Sequence, residues 1–234
     1  AKQALRGWKR LAPGFSRLPL PWEVLAGAAM LMLADGLWTE AMGVLISVIF
    51  YLRPGELRCL LVRSSVPPLP TAGPGHQHWT LIMHQQLDVF SNPSKTGVFD
   101  ESLILDLEKY QFLAPALETL VSHRAPREPL IDLLPGRMSK VLAAVGVQLG
   151  LKPSPLLYQL RHSGTSIDFA DQSRDLMSIK RRGRWRSDSS LRRYDKGAQV
   201  TKQLRALPLA VQAFVVRAAA SLPGVLVGTL SAHS

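Results

Sequence analysis

Apolar residues are most concentrated in two blocks near the start of the chain, Val24–Leu33 and Ala41–Leu52, separated by Asp35 and Glu40. Neither block reaches the roughly 18–20 residues that a membrane span needs. Both read as buried helices. The first starts near Trp22, behind Pro19 and Pro21, and Gly36 closes it. The second runs from about Thr39 to Tyr51 and is apolar on nearly every face, which puts it at the centre of a core. Pro54 and Gly55 stop or bend it.

Shorter runs follow. Leu57–Arg63 reads as a strand, Pro67–Gly75 as a loop, Trp79–Gln85 as a second strand and Ser102–Leu107 as a third. The stretch SNPSKTG at 91–97 has turn chemistry and carries Lys95 at or near its tip. From Glu108 onward the period becomes helical, with Leu113, Leu117, Leu120 and Val121 on one face. Further helices are predicted at Arg137–Gln148, ended by Gly150, from Pro153 or Pro155 to about Ala170, and from near Asp175 to Gly183. A short one is predicted at Ser187–Arg193, and an amphipathic C-terminal helix over 199–221, broken at Pro223. Its Leu207, Leu209, Val211, Phe214 and Val215 could close an intramolecular core. The predicted fold class is α+β, mainly helical, with a small three-stranded antiparallel sheet.

Composition narrows the picture. The chain has 234 residues and is 47% apolar, enough for one large domain with a real core. A net charge of +11 favours a polyanionic partner. The single cysteine, Cys59, excludes an intrachain disulfide and suits a reducing compartment. His76, His78 and His84 lack the cysteines or helical spacing of a zinc site and read as surface histidines. No secretory leader is visible from Ala1.

The charge concentrates in KRRGRWRSDSSLRRYDK, residues 180–196, where eight Lys/Arg face two Asp and one tyrosine, Tyr194, stands near the end. Dense positive charge attracts a polyanion, and a hydroxyl among it is a candidate nucleophile. Three further positions stand out. Arg53 ends a nearly all-apolar helix, with Glu56 three residues on to orient it; the bland alternative is a structural ion pair. Lys95 sits in a hairpin turn, where most lysines are simply solvated. Arg161 lies among Leu157, Leu160, Gly164, Ile167 and Phe169, with Tyr158 one turn before it and His162 after it. Trp185 and Tyr194 each read as core packing when taken singly.

Their order is more specific than any one of them. Arg53-x-x-Glu56 follows an apolar helix. Then come the hairpin Lys95-Thr-Gly, Tyr158-x-x-Arg161-His162-Ser, Gly183-x-Trp185, and Tyr194 nine residues later. From about Leu18 to about Lys196 the chain resembles the catalytic domain of the tyrosine recombinases, the phage-integrase family. The resemblance implies Tyr194 as nucleophile, Arg53 and Arg161 as the clamp on the scissile phosphate and Lys95 as general acid. It puts Trp185 at a position that is His or Trp in the family, and Glu56 as the support of the first arginine. Tyr158 stands where His is most usual, and a tyrosine with a reference pKa of about 10 is a poor base near neutral pH. His162 points roughly 100° away on an ideal helix and reads as a structural partner.

Arg181, Arg182, Arg184, Arg186, Arg192 and Arg193 are expected to contact DNA. The resemblance further implies double-stranded DNA as partner, a homo-tetramer on DNA, no cofactor, no metal, no membrane and an intracellular location beside DNA. It also implies that the C-terminal helix docks on a neighbouring protomer, slightly favoured over packing in its own core. Residues 1–17 are then expected to be a linker or remnant of an N-terminal core-binding domain, 18–198 the catalytic domain, and 199–234 the C-terminal helix and tail. Three alternatives remain: a degenerate DNA-binding remnant of a mobile element, a type IB topoisomerase-like enzyme, and an unrelated basic RNA-binding protein.

Overall fold

The computed structural model describes residues 18–86, 97–134, 136–187 and 197–230. Two apolar helices, α1 (Trp22–Ala34) and α2 (Trp38–Ile49), form its centre. Every α2 residue from Glu40 to Ile49 is buried. The buried Glu40 carboxylate is neutralised by the Arg137 guanidinium. Gly36 lies at φ +71, the left-handed conformation that ends α1.

Leu57–Arg63 is not a strand. Pro54 supplies the first residue of a short helix, α3 (Pro54–Arg58). The Glu56 carboxylate reaches back to the Arg53 backbone N–H at 2.7 Å. This capping bond satisfies a donor that the helix start would leave orphaned, and it overrides the β preference of the Leu/Val run. A 3-10 turn (Val62–Ser64) follows.

The first strand comes later, as β1 (Ser65–Val66). It pairs antiparallel with β2 (Thr80–Met83), Ser65 opposite Leu81, and β2 pairs antiparallel with β3 (Glu101–Ile104), Leu81 opposite Leu103. The sheet has three antiparallel strands in the order β1-β2-β3; the sequence predicts a small three-stranded antiparallel sheet, but with its first strand at 57–63. Leu81, Met83 and Leu103 face the core.

The remaining helices are α4 (Ala114–Val121), α5 (Arg137–Gln148), α6 (Leu157–Ala170) and α7 (Leu176–Arg182). Asp175 caps α7, its side chain accepting from the Ser178 N–H at 2.9 Å. α6 lies close against α2 because Gly164 leaves no side chain between them. A Cβ there would stand 1.9 Å from the Val48 carbonyl oxygen.

The expected single C-terminal helix is two, α8 (Gly197–Arg205) and α9 (Leu209–Leu230). Pro208 breaks the pattern, since the residue before a proline is driven out of the helical region. Pro223 lies inside α9 and does not end it. Val215, Ala218, Leu222 and Leu226 are buried against the chain's own core, Val215 directly over Gly27 of α1. That packing lies within the chain. Leu209, expected among these apolar contacts, is exposed. Leu209–Thr229 is also long and apolar enough to cross a membrane by length and composition, although α1 and α2 themselves are not.

Candidate functional site

Glu56 organises the site. It is buried, and one carboxylate oxygen receives the Arg53 side chain while the other receives the Arg53 backbone N–H and Arg184 Nη2. Arg161 Nη1 stands 3.5 Å from the same second oxygen, and His84 Nε2 stands 3.6 Å from the first. Burial by itself would raise the Glu56 pKa. The Arg184 charge, the Arg53 backbone bond and the Arg161 and Arg53 charges overcome it and hold the carboxyl below its ordinary value. Three guanidiniums face one carboxylate, an excess of two positive charges.

These side chains come from distant parts of the chain. Arg53 is the N-cap residue of α3 and is partly exposed. Arg161 projects from the middle of α6 and has no exposed surface. Its Nη1 donates to the Tyr51 carbonyl at 2.7 Å and its Nη2 to the Gly183 carbonyl, while Nε is buried without a partner. Desolvation, followed by the neighbouring Arg184 and Arg53 charges, pulls the Arg161 pKa down to about 9. A bound anion would relieve that cost.

The Trp185 ring lies over this guanidinium, 4.8 Å from ring centre to Cζ, a cation–π arrangement. Gly183 makes room for the ring, since a Cβ there would stand 1.7 Å from a Trp185 carbon.

The structure thus brings together Arg53, Glu56, Arg161 and Trp185. Tyr158 is half-exposed on the first turn of α6, its ring edge-on to that of His162 at 4.7 Å. Lys95, Tyr194, Arg192 and Arg193 lie outside the described residues.

Two arginines expected on DNA are not at the surface. Arg182 is buried, donating to the Ile49 and Ile104 carbonyls, at 2.9 Å and 2.8 Å at the closest. Arg184 is buried and held between Glu56 and the Tyr51 carbonyl. Their Nη donors serve buried protein acceptors, and dragging them to a surface phosphate would orphan those acceptors. Arg181 and Arg186 are exposed. His84, expected at the surface, is buried with its backbone at φ +50. Its place beside Glu56 had no signal in the sequence, because it depends on the sheet folding over α3.

The arrangement defines a class: a mainly helical domain in which three arginines surround one buried carboxylate. No protein-family model matches the chain, and no curated protein matches it. A solved structure does. The chain is similar to a crystal structure of the XerH site-specific recombinase bound to palindromic difH substrate, a post-cleavage complex, with a TM-score of 0.54 and 14% identity. The match covers 81% of this chain and 53% of that one, so the chain spans about half the length of the structure it matches. At this identity the likeness establishes a tyrosine-recombinase-like fold.

Proposed function

We propose that this chain carries the strand-cleaving and rejoining domain of a site-specific DNA recombinase. The observation that carries the reading is the excess of guanidinium charge around Glu56, in a fold similar to that of a recombinase solved with its DNA. A phosphodiester resists attack because its charge repels nucleophiles and its alkoxide is a poor leaving group. Arg53 and Arg161 would bind the non-bridging oxygens and offset the charge that builds in the transition state. The Tyr194 oxygen, giving its proton to water, would bond to phosphorus as the P–O5′ bond breaks, with Lys95 protonating the 5′ oxygen. A second 5′-hydroxyl reverses the step and releases the tyrosine. Double-stranded DNA is then the partner, a tetramer on DNA the working assembly, and the location wherever that DNA lies.

A randomised substrate makes the test independent of the target sequence. The protein is incubated with a pool of nicked duplexes of random sequence, and covalent protein–DNA adducts are isolated. The reading expects an adduct from wild type and none from Tyr194→Phe. Equal adduct from both removes Tyr194 as nucleophile.

One observation favours a second reading, a DNA-binding domain without cleavage. Arg161 has no exposed surface and stacks on Trp185, so a phosphate reaches it only if its surroundings rearrange. Sequence-selective binding from the same pool, with no adduct from any variant, would select this reading.

A further inference from the structure

Tyr51 lies at the end of α2, and the chain there turns by a device that ordinarily uses glycine. The Leu52 N–H bonds the Ser47 carbonyl at 2.9 Å and the Tyr51 N–H bonds the Val48 carbonyl at 3.3 Å. These two bonds are the Schellman closure of a helix, and they require a left-handed residue at Tyr51. Its φ is +52. A bulky aromatic side chain is uncommon in that region, and such outliers persist only where the surroundings over-determine them.

The surroundings do so here. Tyr51 is wholly buried, and its hydroxyl donates to Asp168 Oδ2 at 2.6 Å. Asp168 lies on α6 seven residues beyond Arg161, two helical turns along the same element. The carboxylate is itself fixed by Tyr110 at 3.2 Å, Arg174 Nε at 3.1 Å and Lys109 Nζ at 3.0 Å. At the other end of the residue, the Tyr51 carbonyl accepts from Arg161 Nη1 at 2.7 Å and from Arg184 Nη2 at 3.3 Å. One residue thus ties two buried guanidiniums to a rigid carboxylate at the far end of the helix that carries one of them.

We propose that Tyr51 is a positioning residue for the anion site, its Asp168-anchored ring fixing the carbonyl that aims Arg161 and Arg184. The proposal rests on the reading of that site as the phosphate clamp, but its own geometry can be tested without activity. Arg161 sends its two Nη groups to two different carbonyls, so rotation about its Nε–Cζ bond should be slow and its Nη signals separate.

The experiment uses the full chain with Tyr51→Phe, which removes only the hydroxyl and keeps the ring volume. Guanidinium nitrogen NMR, assigned with Arg161→Lys, reads the clamp directly. Single-turnover cleavage of an adduct-forming duplex reads its use, beside the equilibrium affinity for that duplex. The expected result is merged Arg161 Nη signals and a cleavage rate lower by roughly 10- to 100-fold, with DNA affinity unchanged. Unaltered guanidinium signals overturn the proposal. So does a lowered melting temperature with unchanged signals and rate, which makes Tyr51 merely structural. Wild type that forms no adduct, with signals that still merge in the variant, rejects the recombinase reading and leaves the positioning role standing.

Discussion

Replacing Glu56 by glutamine tests the site's charge balance most directly. Glutamine keeps the shape and one acceptor oxygen. It removes the only carboxylate among the described residues that meets Arg53, Arg161 and Arg184 together, and it turns an amide NH2 towards donors. Arg161 has no exposed surface and Arg184 little, so water replaces the lost charge poorly. Breaking a buried ion pair by removing one partner costs on the order of 3–5 kcal/mol. For a domain of this size that corresponds to a fall in melting temperature of about 6–20 °C.

The pH dependence follows from the depressed Glu56 pKa. A carboxyl held below its unfolded value, about 4.3 for a glutamate, contributes stability that is fully present above that value. The contribution is lost as pH falls through the lower, folded value. Wild type and Glu56→Gln should differ most at neutral pH and converge in acid below about pH 4. The assay is thermal melting across pH 3–8, with urea unfolding at pH 7. Sulfate should restore part of the loss in the variant, because three guanidiniums without a carboxylate attract an anion more strongly than three with one. A variant as stable as wild type at pH 7, with no greater response to sulfate, would refute the claim that Glu56 neutralises this cluster.

Other outcomes follow from the same geometry. Arg161→Ala should lower single-turnover cleavage by about 100- to 1,000-fold while leaving most nonspecific DNA affinity, measured by gel shift. Arg181→Ala should reduce the slope of log affinity against log salt by about 1 without altering the melting temperature. Arg182→Ala should do the reverse, lowering the melting temperature and leaving the salt slope unchanged, because its guanidinium serves the Ile49 and Ile104 carbonyls. Gly164→Ala places a methyl carbon 1.9 Å from the Val48 oxygen, which must push α6 off α2. That should destabilise by roughly 1–3 kcal/mol, read by urea unfolding, and should lower cleavage along with stability.

The sequence alone carried the helical frame. The almost wholly apolar Ala41–Leu52 block has nowhere to lie except the core, and the periodic stripe of Arg137–Gln148 specifies its helix to the residue. Those are local signals, set by burial and by period. The sequence also pointed to Arg53, Glu56, Arg161 and Trp185, because their order resembles a known family, and the structure brings these four together.

What it missed depends on neighbours that are distant along the chain. The Leu/Val run at 57–63 has strand composition, yet a capping bond at its start makes it helix and turn. Arg182 and Arg184 read as surface charge because arginines in a basic stretch usually are. Only packing of α7 against the end of α2 shows that one serves backbone carbonyls and the other Glu56. Tyr51 carried no signal at all. Its role is in a left-handed backbone and in a partner more than a hundred positions away, and both exist only once α2 and α6 lie side by side. Hydrophobic period is written into neighbouring residues, whereas the pairing of buried charges is decided by which helices meet.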